Sequence, residues 1–266
     1  QNLFNKCVEL NEKADTNTLV SPLSVLMALA MTANGADGNT LTQMQDVLGL
    51  TTADMNELLG ALIYLTNEDK TDAIKYANAI WFKDEESFSP KSEFLEINKK
   101  YYGASIYKAL FDDSTLKEIN AWIEAKTDGM IKDALDKIDP NAVMYLINAL
   151  CFEAKWQSAY TEAQIGDGDF LNSDGSTSKV KNLHSSENVY ITTDNATGFM
   201  KFYEGERYAF VGLLPNEGTS VSEVAASLAN VLADFDSYRD YRAVNVTMPK
   251  FTLDYSTELK AALCEL

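Results

Sequence analysis

Histidine is nearly absent from this chain: His184 is the single one in 266 residues. One imidazole can still serve a Ser or Cys nucleophile, but no Gly-x-Ser-x-Gly elbow is there to supply it. Walker loops, dinucleotide fingerprints and the His-Glu-x-x-His pair are lacking too, so no common catalytic motif argues for an enzyme. Cysteine is scarce. Cys7, Cys151 and Cys264 are odd in number and widely spaced, which indicates neither a disulfide framework nor a zinc site. Positive charge is short, with 22 Lys and Arg against 40 Asp and Glu and a net charge of −18. No basic cluster offsets that acidic surface, which argues against a nucleic-acid partner; its ordinary consequence is solubility. No apolar run is long enough to span a bilayer and no charged-then-apolar leader opens the chain, so no membrane partner is expected. The first residue is Gln1 rather than Met, which points to processing or trimming. Asp167, Asp169 and Asp174 lie near glycines, but their spacing fails the calcium-loop pattern and reads as a solvated turn. No cofactor and no metal are expected.

What is present supports a large core: 46% of residues are hydrophobic and 11% aromatic. No internal repeat, low-complexity tract or long linker appears, so residues 1–266 read as one domain. Helices come first. Residues 3–13 carry Leu3, Phe4, Cys7, Val8 and Leu10 at helical spacing, and Ser21-Pro22 reads as an N-cap and first position. Leu23, Leu26, Met27, Ala30 and Met31 give that second helix its buried face. Leu41–Leu48, Met55–Ile63, a start at Ser89-Pro90 running through Tyr102, and residues 115–127 continue in the same way. Strands are expected at Ile74–Phe82, Tyr208–Leu214 and Val244–Met248, with a hairpin turn at Asn172–Gly175. Residues 220–232 read as a helix, and a last helix is expected from Ser256.

The most informative stretch is 142–156, AVMYLINALCFEAKW. It is either a strand covered on both faces or a buried helix, since periodicity alone does not separate these. Cys151 within it reads as a small core residue. Asn148 is its one amide, and a buried amide is costly unless its hydrogen-bonding positions find partners.

Several segments, in order along the chain, resemble the serpins, the serine protease inhibitor family. Asn17–Ser24 resembles the start of that family's helix B, and Gly35–Thr40 the turn after it. Ala77–Phe82 resembles strand two of sheet A. Tyr101–Ala104 and Ile119–Ile131 are similar to the stretch through helix F. Asn148-Ala149 with Lys155-Trp156 resembles strand three of sheet A, and Val244–Leu253 with Pro249-Lys250-Phe251 resembles strand six. The resemblance implies a mixed α/β fold with about nine helices and three sheets.

It also implies a mechanism. In this family a protease cleaves an exposed reactive loop and is acylated by it; the loop then inserts into sheet A and drags the protease with it. By resemblance Ser21, Pro22, Ser24 and Asn148 match the shutter under the parting strands, and Trp156 and Lys250 match the breach where insertion begins. Without the family, Ser21 is a plain cap, Trp156 a large core residue and Lys250 a surface lysine. Leu266 stands where a full serpin continues into strand five of sheet A, the reactive loop and the last strands of sheet B. The expectation is therefore a domain incomplete at its C-terminus, the remainder being in a second peptide, disordered or deleted. The implied function is inhibition of a target protease, serine-type first and cysteine-type second, in an extracellular or secreted setting, with an intracellular one also open. Two alternatives stand beside it: a non-inhibitory carrier, chaperone or storage serpin, and a hydrolase using His184.

Overall fold

The computed structural model describes residues 2–13, 16–68, 73–253 and 255–265. Its helices are α1 (Asn2–Lys13), α2 (Pro22–Ala33), α3 (Gly38–Leu48), α4 (Thr52–Asn67), α5 (Ser92–Tyr102), α6 (Asp113–Lys126), α7 (Val221–Ala233) and α8 (Lys260–Cys264). The strands are β1 (Ile74–Lys83), β2 (Ser105–Ala109), β3 (Met144–Phe152), β4 (Ile165–Leu171) and β5 (Thr177–Glu187). They continue as β6 (Val189–Thr192), β7 (Ala196–Phe202), β8 (Ala209–Pro215), β9 (Arg239–Asp240) and β10 (Val244–Pro249). Among the described residues this is a mixed α/β fold of eight helices and three sheets, one helix fewer than the resemblance implied. The chain divides into two compact units, Ser21–Glu153 and Gln1–Val20 with Ala154–Leu266.

In the unit Ser21–Glu153, local signals place the helices. Ser21 caps α2, its hydroxyl accepting from the Ser24 N–H at 3.3 Å, and Pro22 takes the first helical position. Asp112 caps α6 by accepting from the Ser114 and Thr115 N–H groups at 3.0 Å. Helix α5 departs from expectation. It starts at Ser92 behind Lys91, which makes no side-chain cap bond, rather than at Ser89-Pro90. A three-stranded sheet of order β2-β1-β3 runs through this unit, β1 parallel to β2 and antiparallel to β3. Met27, Met31, Met55, Leu59, Ile80 and Tyr102 pack into one core cluster. Each such side chain contributes about 1.5–3 kcal/mol through burial. On a second cluster, Ile119 and Ile123 of α6 meet Ala79 and Trp81 of β1.

The run 142–156 is thus a strand over its middle nine residues, and it is mostly half-buried rather than covered on both faces. It holds an edge position: among the described residues β3 pairs with β1 and with no other strand. Cys151 is buried, as expected of it.

The other unit holds two antiparallel sheets, of order β10-β5-β4 and β8-β7-β6-β9. The β4–β5 hairpin turns where Asn172–Gly175 predicted, with Gly175 at φ 81° and the Asn172 N–H on the Ser176 carbonyl at 2.8 Å. Ser220 and Glu223 close a reciprocal capping box on α7. Two expectations are corrected here. Val244–Pro249 pairs with β5, Val246 opposite Ser185, so it belongs to a different sheet from β1 and β3 and is not the sixth strand of theirs. Alternation shows which residues share a face; it does not show which neighbour the strand chooses. The last helix is also shorter than expected, beginning at Lys260 rather than at Ser256.

Candidate functional site

The middle of β3 is fastened by side chains. Asn78 and Asn148 face each other in the β1–β3 register, and the Asn148 amide donates to Asn78 Oδ1 at 2.8 Å. Asn148 Oδ1 accepts from the Ser24 hydroxyl on α2. The same Asn148 nitrogen lies 3.6 Å from the Met27 sulfur, so three elements converge on one amide. Ser21 does not join this group directly; it caps α2 through the Ser24 N–H and, like Pro22, sits at the surface. Of the four residues matched to the shutter, the structure brings Ser24 and Asn148 into contact and gives Ser21 and Pro22 the task of starting the helix that carries Ser24.

The polar chain runs further than the sequence reading followed it. Asn78, 2% exposed, donates to the Tyr102 carbonyl at 2.8 Å. The Tyr102 phenol donates to Asn56 Oδ1 at 2.7 Å, and Asn56 and Asn34 exchange two amide bonds of 2.9 and 3.0 Å. Burial pushes the Tyr102 ionisation up to about 12, so the phenol stays a donor across the physiological range. Asn78 carries the same signal as Asn148, an amide inside an apolar strand, although it was not singled out from the sequence. Asn56 and Tyr102 on their helices give no such signal, because a polar residue at an amphipathic helix boundary looks solvated.

Trp156 and Lys250, the two residues matched to the breach, have separate partners. The Trp156 indole stacks on Tyr203 at 4.3 Å and meets the Phe210 ring edge-on at 6.0 Å. Lys250 is exposed just beyond β10, and its backbone N–H donates to the Lys181 carbonyl at 2.7 Å.

His184 is exposed on β5, with Nδ1 3.0 Å from the Thr247 hydroxyl opposite it on β10. Asp167 and Asp169 pair with Lys181 and Lys179 across the hairpin at 2.6 and 2.5 Å, while Asp174 accepts from the Ser176 N–H at 2.8 Å. Asp174 thus lies in the expected turn, whereas Asp167 and Asp169 lie on strand β4, paired across the hairpin. Among the described residues no group of three His, Cys, Asp or Glu side chains is placed to hold a metal.

A family model described as Serpin (serine protease inhibitor) matches residues 1–266. The chain belongs to the serpin family. The solved thermophilic serpin tengpin in its latent state superposes with a TM-score of 0.90 at 39% identity, covering 99% of this serpin and 74% of that chain. Tengpin in its native state superposes at 0.87 and 38% identity, with 70% of that chain covered. A serpin-like protein of Thermococcus kodakarensis is 28% identical over 95% of this chain, and thyroxine-binding globulin of Sus scrofa is 28% identical over 96%. This serpin spans 60% and 64% of the lengths of those two relatives, less than two thirds of each.

Proposed function

We propose that this serpin is an inhibitor of serine-type endopeptidases, consumed as a substrate rather than acting as a catalyst. The observation that carries the reading is the setting of β3. It is bonded to β1 on one side, and Ser24–Asn148–Asn78 fastens its middle. A strand held in this way can take a further strand beside it through backbone pairing. A hydroxyl–amide fastening on the strand can exchange partners as the strand shifts, which a purely apolar contact cannot do. In this reading Ser21, Pro22, Ser24 and Asn148 act as the shutter, and Trp156 and Lys250 as the breach. The partner is a target protease, serine-type first and cysteine-type second. The domain is single, the member microbial in type, and the setting extracellular.

The test mixes the full-length protein with trypsin, chymotrypsin, elastase and papain and resolves the products on a denaturing gel. A protease adduct that survives boiling supports inhibition; clean cleavage of the serpin with fully active protease counts against it.

A second reading, a non-inhibitory carrier, draws on one observation: thyroxine-binding globulin is among the relatives and among the solved structures, the latter with a TM-score of 0.87 at 25% identity. The protease gel separates the two, because a carrier forms no adduct.

A further inference from the structure

Among the described residues, Lys201 on β7 is the only fully enclosed charged residue, 3% exposed. Its ammonium is 2.7 Å from Glu187 Oε1, at the end of β5, and the two side chains are 4% and 11% exposed. It also lies over two rings, 4.7 Å from the Tyr160 centroid and 5.6 Å from that of Trp156. Both rings belong to the segment that follows β3. That segment has little regular structure of its own; an isolated bridge from Trp156 to Tyr203, made by two backbone bonds, attaches it. Those bonds are Gln157 N–H to the Phe202 carbonyl at 3.1 Å and Glu204 N–H to the Lys155 carbonyl at 2.8 Å.

We propose that Lys201 is the positioning residue for Trp156: its ammonium, paired with Glu187, holds the faces of Trp156 and Tyr160 and so fixes the chain leaving β3 against β7. This deepens the reading of Trp156 as a breach residue and rests on it. The physical reason lies in burial. Taking an ammonium out of water is costly unless an opposite charge pairs with it. Only the charged form is drawn to an aromatic face. Glu187 therefore supplies the condition for the cation–π contacts, and the cation supplies a fixed point that stacking on Tyr203 lacks, since stacked rings slide at little cost. Under strand insertion, the chain beyond β3 must stay anchored while β3 gains a neighbour, and this anchor meets that need.

The experiment follows amide hydrogen exchange in the full-length protein at Gln157 and Glu204, with the Thr193 N–H, bonded to the Ala196 carbonyl at 2.9 Å, as control in the same sheet. The informative variant is the double substitution Lys201→Met with Glu187→Leu. It removes both charges and leaves no unpaired one, an exchange that buried ion pairs tolerate well. Gln157 and Glu204 are expected to exchange roughly 30-fold faster, from the loss of two cation–π contacts, while Thr193 keeps its protection. Retained protection at Gln157 and Glu204 overturns the proposal, because packing alone then positions the segment. If the double variant loses protection at Thr193 as well, Tyr160→Leu decides in its place. That variant removes one face and spares the ion pair: faster exchange confined to Gln157 and Glu204 supports the proposal, and wild-type exchange overturns it. A failure of the inhibitor reading appears separately, as the absence of any boiled-resistant protease adduct with the unaltered protein, and leaves the exchange result standing.

Discussion

Replacing Asn148 by alanine tests the fastening of β3 at its centre. The substitution leaves Asn78 Oδ1, on a residue 2% exposed, without its donor. An unsatisfied buried acceptor costs about 1–3 kcal/mol. Ser24 loses its acceptor as well, but it is only half-buried, so water replaces much of that bond and the added cost is at the low end of about 0.5–1.5 kcal/mol. The sum is about 1.5–3.5 kcal/mol. The better measurement is a double-mutant cycle with Asn78→Ala, because removing both amides strands fewer groups than the two single losses suggest. Urea unfolding of the four proteins should give a coupling of about 1–2 kcal/mol between positions 78 and 148. Additive effects, within about 0.3 kcal/mol, would show that the two amides do not depend on each other and would refute the reasoning.

Three further outcomes are expected. Tyr102 should ionise near pH 12 in the folded protein against an ordinary value of 10.0; the folded state holds this proton more tightly, so its contribution is complete below pH 10 and is lost as pH rises toward 12. Near-ultraviolet titration checks it, and a full complement of phenols ionising around pH 10 in the folded protein would contradict it. Gly198→Ala would drive a methyl into the Gly212 carbonyl oxygen on the paired strand β8, so thermal unfolding should fall by several degrees, about the effect of 1–3 kcal/mol of overpacking; an unchanged midpoint would mean that β7 and β8 are not in this register. His184→Ala should leave the protease-adduct yield unchanged, since the ring is exposed and its Nδ1 lies against Thr247; a loss of function with the fold intact would revive the hydrolase alternative.

The parts of this molecule that announced themselves did so through local chemistry. Ser21-Pro22 marked the start of α2 because an N-cap and a fixed φ are properties of two adjacent residues, and the structure places them there. Asn148 stood out because an amide in an apolar run demands partners, and it has them in Ser24 and Asn78. Partner choice at long range was less legible. Val244–Pro249 alternates as a strand should, but nothing in the alternation points to β5 as its neighbour. β2 went unread because Ser105–Ala109 is short and half polar, and its strand state depends on parallel pairing with β1, 26 residues earlier at the Ala79–Ser105 contact. Lys201 offered no sign at all. A lysine beside Phe202 and Tyr203 reads as a surface residue until Glu187, Trp156 and Tyr160 are seen to close around it.

The inhibitor reading turns on β3 accepting a new strand beside it. Hydrogen exchange over Met144–Phe152 in the full-length protein, before and after limited cleavage by a target protease, tests this most directly. The account predicts that the β3 amides not bonded to β1 become strongly protected after cleavage, together with a large rise in the unfolding temperature. Exchange in β3 that is unchanged by cleavage would contradict it.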